Sequence, residues 1–116
     1  MNEMETTIFG LICSAGSSRS LSFEALKKAE KGEFEEALKK MEESNSQLTE
    51  AHNIQTSLIQ REASEESRTE VSLLLVHAQD HLMTAILAKD LISQMLPMKQ
   101  KIKELEEKLE EISNKI

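Results

Sequence analysis

The chain has no tryptophan, no tyrosine and only three phenylalanines. Its core is therefore aliphatic, with six methionines as adaptable filler. Proline occurs once and glycine three times, so little interrupts a sequence dominated by strong helix formers. With 30% charged residues, that composition specifies an all-α bundle. The single cysteine, Cys13, excludes an intrachain disulfide and fits a reducing compartment. Basic residues are outnumbered: the net charge of −7 has the wrong sign for gripping nucleic acid or an anionic membrane surface. No apolar run approaches the roughly 18 residues of a membrane span. Residues 7–15 have the look of a signal-peptide core, but the run is short and residues 1–5 before it are acidic, where a signal carries Lys or Arg. No phosphate loop and no CxxC motif occur. The expectation is one small cytoplasmic domain of 116 residues, with no direct membrane insertion.

Helical periodicity divides the chain into three long stretches. The first covers about residues 3–31, with Ile8, Leu11, Ile12, Ala15, Ser22, Ala25, Leu26 and Ala29 on one face and Gly32 as its stop. The second covers about residues 33–61, with a stripe through Phe34, Ala37, Leu38, Met41, Asn45, Leu48, His52, Gln55, Leu58 and Ile59. Asn45, His52 and Gln55 are polar intrusions there. Either they are satisfied buried groups, or His52 and Gln55 border an active pocket. Residues 61–69 show no apolar period and are expected to form a solvated loop.

The third helix is expected from Thr69 or Glu70. It carries two apolar stripes, one through Val71, Leu74, Leu75, Ala78, Leu82, Ala85 and Ile86. The other runs through Leu73, His77, Asp80, Thr84, Leu87, Ala88, Leu91, Met95 and Met98. A three-helix monomer covers one face of each helix, so the second stripe asks for a partner, and self-association is the economical answer. After Met98 apolar residues continue at Ile102, Leu105, Leu109, Ile112 and Ile116, alternating steps of three and four as in a heptad seam. Pro97 should kink or briefly break the helix, which resumes by Lys99.

The run from Val71 to Met83, VSLLLVHAQDHLM, concentrates the chemistry. Two histidines and an aspartate stand in a segment otherwise suited to burial, where polar groups are paired, metal-bound or used in reactions. His77 and His81 are one helical turn apart, and Asp80 is three residues from His77. Three readings compete. A zinc hydrolase uses two such histidines, but its helical motif places Glu directly after the first, where this chain has Ala78. A structural reading pairs the polar groups within the core. In the third, a histidine acts as nucleophile: imidazole is a good nitrogen nucleophile and a good leaving group near neutrality. Such a residue takes a phosphoryl group from one partner and hands it to another with no nucleotide loop of its own. A neighbouring imidazole or amide orients it or neutralises the phosphoryl charge.

The sequence resembles the enzyme IIA components of the lactose/cellobiose (N,N′-diacetylchitobiose) class of the bacterial phosphoenolpyruvate:sugar phosphotransferase system. Residues 71–84, VSLLLVHAQDHLMT, match the family signature almost letter for letter. Ordered support comes from Gly10-Leu11-Ile12 with Gly16, from Arg19-Ser20-Leu21 with Glu24-Ala25-Leu26, from Gly32 with Phe34 and Ala37, and from Glu50-Ala51-His52-Asn53-Ile54-Gln55-Thr56. The likeness spans about residues 3–96.

It implies a three-helix, up-down-up subunit that associates as a homotrimer of nine helices. It implies that His77 is phosphorylated by phospho-HPr and passes the group to a cysteine of the cognate IIB, with the membrane IIC component served indirectly. It implies that Asp80 meets its symmetry mates on the trimer axis and binds one divalent metal per trimer, Mg2+ being expected of an oxygen-only site. Gln79 and His81 match supporting active-site positions. A non-catalytic trimeric adaptor that keeps this fold is the alternative. The sugar is unspecified: disaccharides of the cellobiose, chitobiose or lactose type fit equally.

Two features depart from the family pattern. Ser17-Ser18 stands where members often carry a pair such as Glu-Ala or Gln-Ala, and the acidic heptad tail is longer than the usual ending. The expected division is a IIA domain over residues 1–96 and a helical extension over residues 97–116.

Overall fold

A computed structural model describes residues 1–64 and 70–116. Among them are three α-helices and no strand: α1 (Glu3–Glu30), α2 (Phe34–Ala63) and α3 (Leu73–Lys115). No helix is long and apolar enough to cross a membrane.

Each boundary has a local cause. Asn2 caps α1 by accepting the Glu5 backbone N–H at 2.8 Å, and Glu3 and Glu5 face the positive end of the helix dipole. At the other end Gly32 adopts φ 80°, a left-handed conformation that glycine enters without steric cost. Its N–H bonds the Ala29 carbonyl at 3.0 Å, and the Glu33 N–H reaches back to Lys28 at 2.9 Å. These are the paired bonds of a Schellman stop, and they turn the chain directly into α2. Lys28 bridges the turn through Glu36 at 3.0 Å and Glu33 at 3.3 Å. The hydrogen bond from Lys28 holds the Glu36 carboxyl below its ordinary range, and Glu36 and then Glu33 hold the Lys28 ammonium above its own.

Helix α2 runs past Arg61, its expected end, through Glu62 and Ala63, two residues expected in the loop. Residues 65–69, the rest of that expected loop, lie outside the described residues. Helix α3 begins at Leu73 rather than at Thr69 or Glu70, because the Ser72 hydroxyl caps it by accepting the Leu75 N–H at 3.1 Å.

The helices meet along heptad-like seams. Helix α1 buries Ile8, Leu11, Ala15, Ser18, Ser22, Ala25 and Ala29; α2 buries Ala37, Ser44, Leu48, Ala51 and Leu58. The α2 seam therefore passes through Ser44 and Ala51, whereas Asn45 and His52, expected on it, are exposed. One apolar cluster joins Ile8, Leu11, Ala15, Leu48 and Ala51 to Ala78, Leu82 and Ala85 of α3. A second joins Ala29 and Ala37 to Ile92 and Leu96. Buried side-chain polar atoms are all satisfied among the described residues.

Helix α3 continues unbroken through Pro97, where a kink or a brief break was expected, so the break does not occur. Proline costs the helix the bond to the Ser93 carbonyl, but Ser93 and Pro97 are both exposed, so water can solvate that carbonyl. Leu96 and Met95 pack into the second cluster just before it, and Lys99 pairs with Glu30 at 3.9 Å just after. Lys103 then lies against Gly32. Beyond Lys99 every residue is exposed, and the molecule measures 73 × 24 × 20 Å, drawn out along its helices.

Candidate functional site

Ala78, Leu82 and Ala85 are fully buried and lock one face of α3 onto the first apolar cluster. That anchorage fixes what the adjoining residues can reach. His77 and His81 emerge on the flank beside α1, with their Nε2 atoms 3.1 Å apart, ring centroids 4.6 Å apart and planes at 74°. Two imidazole nitrogens at that distance share one proton: one Nε2 donates an N–H and the other accepts with its lone pair. His77 is the more exposed and His81 is half-buried. The site thus couples an accessible ring nitrogen to a second imidazole at hydrogen-bonding distance.

A shallow pocket of about 450 Å³ opens beside this pair, lined by Gly16, Arg19, Ser20, Phe23, Glu24, Lys27 and His81. Two cationic side chains, one carboxylate and an exposed aromatic ring therefore face the same opening. Sequence reasoning did not assign Arg19 or Lys27 to the site. Their spacing of just over two turns along α1 is the signal that was available, but only packing shows that this face of α1 meets His81. A cavity of about 800 Å³ lies elsewhere, among Asn2, Met4, Thr7, Ile54, Leu58 and Arg61, and contains none of the candidate residues.

Gln79 occupies the opposite flank of α3, about 160–200° around the helix from the histidines. There its side-chain oxygen accepts from the amide of Gln55, so Gln55 joins a candidate residue while His52 stays outside. Asp80 sits between the two flanks, about 60–100° from each histidine. Its backbone carbonyl accepts from the Thr84 hydroxyl at 3.0 Å, and its carboxylate is exposed. Among the described residues no group of three or more His, Cys, Asp and Glu side chains is placed to hold a metal ion. One chain offers such an ion a single carboxylate here.

Around Asp80 the exposed surface is apolar. Leu73 is 86% exposed, Val76 52%, Met83 50%, Leu87 59% and Leu91 55%. The second stripe of α3 is thus uncovered in the single chain. Met95, expected on it, turns instead into the second cluster.

Comparison with known proteins follows the same outline. A family model described as the lactose/cellobiose-specific IIA subunit of the phosphotransferase system matches residues 6–100. The N,N′-diacetylchitobiose-specific EIIA component of Escherichia coli (strain K12) is 46% identical over 101 residues, covering 87% of this chain and 86% of that one. The crystal structure of the cellobiose-specific enzyme IIA from Bacillus anthracis superposes with a TM-score of 0.84 at 43% identity, over 89% of this chain and 94% of that one. A solution structure of the chitobiose IIA–HPr complex from Escherichia coli gives a TM-score of 0.75 at 45% identity, over 89% and 99%.

Proposed function

Since the chain belongs to the lactose/cellobiose-specific IIA family of the phosphotransferase system, we propose that it relays a phosphoryl group through His77 from phospho-HPr to a cysteine of its cognate IIB. The relay serves uptake of a disaccharide of the cellobiose, chitobiose or lactose type through the membrane IIC, and it operates in the cytoplasm. The observation that carries this reading is the exposed His77–His81 pair, with Nε2 atoms 3.1 Å apart. A relative's structure in complex with HPr supports the choice of donor.

The chemistry runs as two displacements at phosphorus. With the His77 proton on Nδ1, its Nε2 lone pair accepts from His81 Nε2–H at rest and becomes free to attack phosphorus when that N–H turns away. A bond from His77 Nε2 to phosphorus forms as the donor's nitrogen–phosphorus bond breaks, and the donor imidazole leaves with the electron pair. The His81 N–H, released from His77, turns to a phosphoryl oxygen, and Arg19 and Lys27 place positive charge along the adjoining pocket. In the second displacement the IIB thiolate attacks phosphorus and His77 leaves as neutral imidazole. No nucleotide and no acid–base group outside the pair is required.

The uncovered stripe supports a homotrimer of parallel α3 helices with Asp80 at the axis. Closing three copies about Asp80 sets the Gln79 flank of one beside the histidine flank of the next. That arrangement gives Gln79 a supporting role toward a neighbour's His77 rather than its own. Three converging carboxylates repel one another unless neutralised, and an all-oxygen donor set suits a hard divalent cation, Mg2+ foremost. Such an ion would be held by Asp80 of each copy and would serve the assembly, since the histidines point away from it.

Incubation with phosphoenolpyruvate, enzyme I and HPr tests the reading. The wild type should take up label as an acid-labile, base-stable phosphoramidate, and His77→Ala should fold and take up none. Label retained by a folded His77→Ala, or found on His81 in the wild type, overturns the assignment. A wild type that takes up no label while remaining trimeric is the adaptor.

A further inference from the structure

We propose that residues 98–116 form a parallel three-stranded coiled coil with the same segment of two other copies, extending the trimer seam beyond the bundle as a stalk. The proposal rests on the trimer reading above and deepens it. The matched family region ends at residue 100, so most of the stalk lies beyond it.

The segment cannot be explained by its own subunit. After Lys103 against Gly32, α3 runs on for about 20 Å. It carries Ile102, Leu105, Leu109, Ile112 and Ile116 at exposures from 50% to 103%. A helical stretch this short is marginal in water by itself, and here it presents an aliphatic stripe with nothing on it.

Three observations select a second and third copy of the chain as the cover. The first is continuity. The exposed positions Leu73, Val76, Asp80, Met83, Leu87, Leu91, Met98 and Ile102 lead into the tail stripe in steps of three or four with one longer interval, from Leu91 to Met98, across which Met95 turns into the second cluster. Over the 43 residues of α3 that is about 12 turns at 3.6 residues per turn, so the stripe stays on one side of a straight helix. Whatever covers Asp80 therefore lies in line with Ile116.

The second is charge. With Ile102, Leu109 and Ile116 at a and Met98, Leu105 and Ile112 at d, Lys101, Lys108 and Lys115 fall at g, and Lys99, Glu106 and Ser113 at e. In a parallel bundle g of one helix meets e of the next heptad on its neighbour, so Lys101 faces Glu106. An antiparallel pair would set the g lysines against one another. The third is core shape: Ile102 at a with Leu105 at d suits two strands, but Leu109 at a with Ile112 at d suits three or four, and this mixture lacks the uniform Ile-at-a, Leu-at-d pattern of a dimer.

The test is disulfide trapping of the full chain in a Cys13→Ser background, with sedimentation equilibrium on the same samples. Ile112→Cys places a thiol at d, where parallel strands bring symmetry-related β-carbons within disulfide reach; Glu107→Cys places one at f, facing outward. Ile112→Cys should give disulfide-linked pairs at least tenfold faster than Glu107→Cys. A chain ending at Gln100 should need at least tenfold more protein to remain trimeric. A trimer in which Ile112→Cys links no faster than Glu107→Cys, or whose stability ignores the truncation, overturns the stalk and leaves the trimer standing. A chain that stays monomeric or dimeric overturns both.

Discussion

Ser44 is the side chain on which α1 and α2 should depend most visibly. It is completely buried, and its hydroxyl makes every hydrogen bond available to it. The Oγ donates to the Ser18 carbonyl at 2.7 Å. With its one proton committed there, Ser44 must accept from Ser22 Oγ at 2.7 Å and from Ser18 Oγ at 3.0 Å. Ser44→Ala removes all three bonds and strands two buried hydroxyl protons. Each bond contributes about 1 kcal/mol, and a stranded buried donor costs about 1–3 kcal/mol. Both hydroxyls retain one fallback, rotation onto a carbonyl one turn earlier in α1. The net loss should be about 1–3 kcal/mol, a fall of roughly 1 M in the urea midpoint. The triple variant Ser18→Ala, Ser22→Ala, Ser44→Ala removes donors and acceptors together, so it should be more stable than Ser44→Ala alone. Urea titrations followed by far-UV circular dichroism measure both, at one fixed protein concentration because assembly is linked to stability. A Ser44→Ala midpoint equal to wild type, or a triple variant weaker than the single one, refutes the account of this network.

Two further outcomes are expected. Asp80→Leu exchanges three like charges at the proposed axis for apolar contact, a change that is often neutral or stabilising. The variant should sediment as a trimer and lose any divalent metal that elemental analysis finds in gently purified wild type. Wild type without such metal and indifferent to chelators would sink the metal site, and zinc in place of magnesium would point to an imidazole ligand. If the proposed donor meets a chain of net charge −7 through apolar surface such as Phe23 beside His81, phosphoryl uptake from phospho-HPr should fall less than about twofold between about 0.05 and 0.5 M salt. A tenfold fall would mean that electrostatic steering dominates.

The helices and the histidine pair were legible because their signals are local. Apolar spacing and Gly32 suffice for α1, and His77 and His81 must meet on any helix that contains both. What escaped was non-local or chemically faint. The α2 seam slips by one residue, to Ser44 and Ala51 instead of Asn45 and His52. Adjacent polar residues look alike in an apolar pattern, and only the hydroxyls of Ser18 and Ser22 across the interface decide between them. Ser18 is itself one of the positions where the sequence departs from its family, with no visible consequence until the serine cluster is seen. The start of α3 was set too early because its cap, Ser72, stands inside an apolar run. Pro97 was weighted by local cost alone, whereas Leu96 and Met95 on one side and Lys99 on the other hold the helix together through it. Gln55 was ambiguous in the sequence, and its bond to Gln79 settles its place but required two helices to be docked.

The placement of Asp80 between the histidine and glutamine flanks ties these observations to function. A phosphoryl carrier must expose its nucleophile to two successive partners. A carboxylate ringed by Leu73, Val76, Met83 and Leu87 is suited instead to enclosure. In one chain the two demands conflict, because the same helix bears both within three residues. The proposed threefold closure about Asp80 would reconcile them: the axis would take the apolar stripe and the carboxylates, while each histidine pair would stay at the mouth of a cleft between neighbouring copies. The inner face of α3, held by Ala78, Leu82 and Ala85, would then fix the angle of that cleft. On this argument association is part of the catalytic design. In the proposed trimer the seam would set Gln79 of one copy toward His77 of another, so a variant that folds but fails to associate should lose phosphoryl transfer, measured as label uptake from phospho-HPr, with every histidine intact.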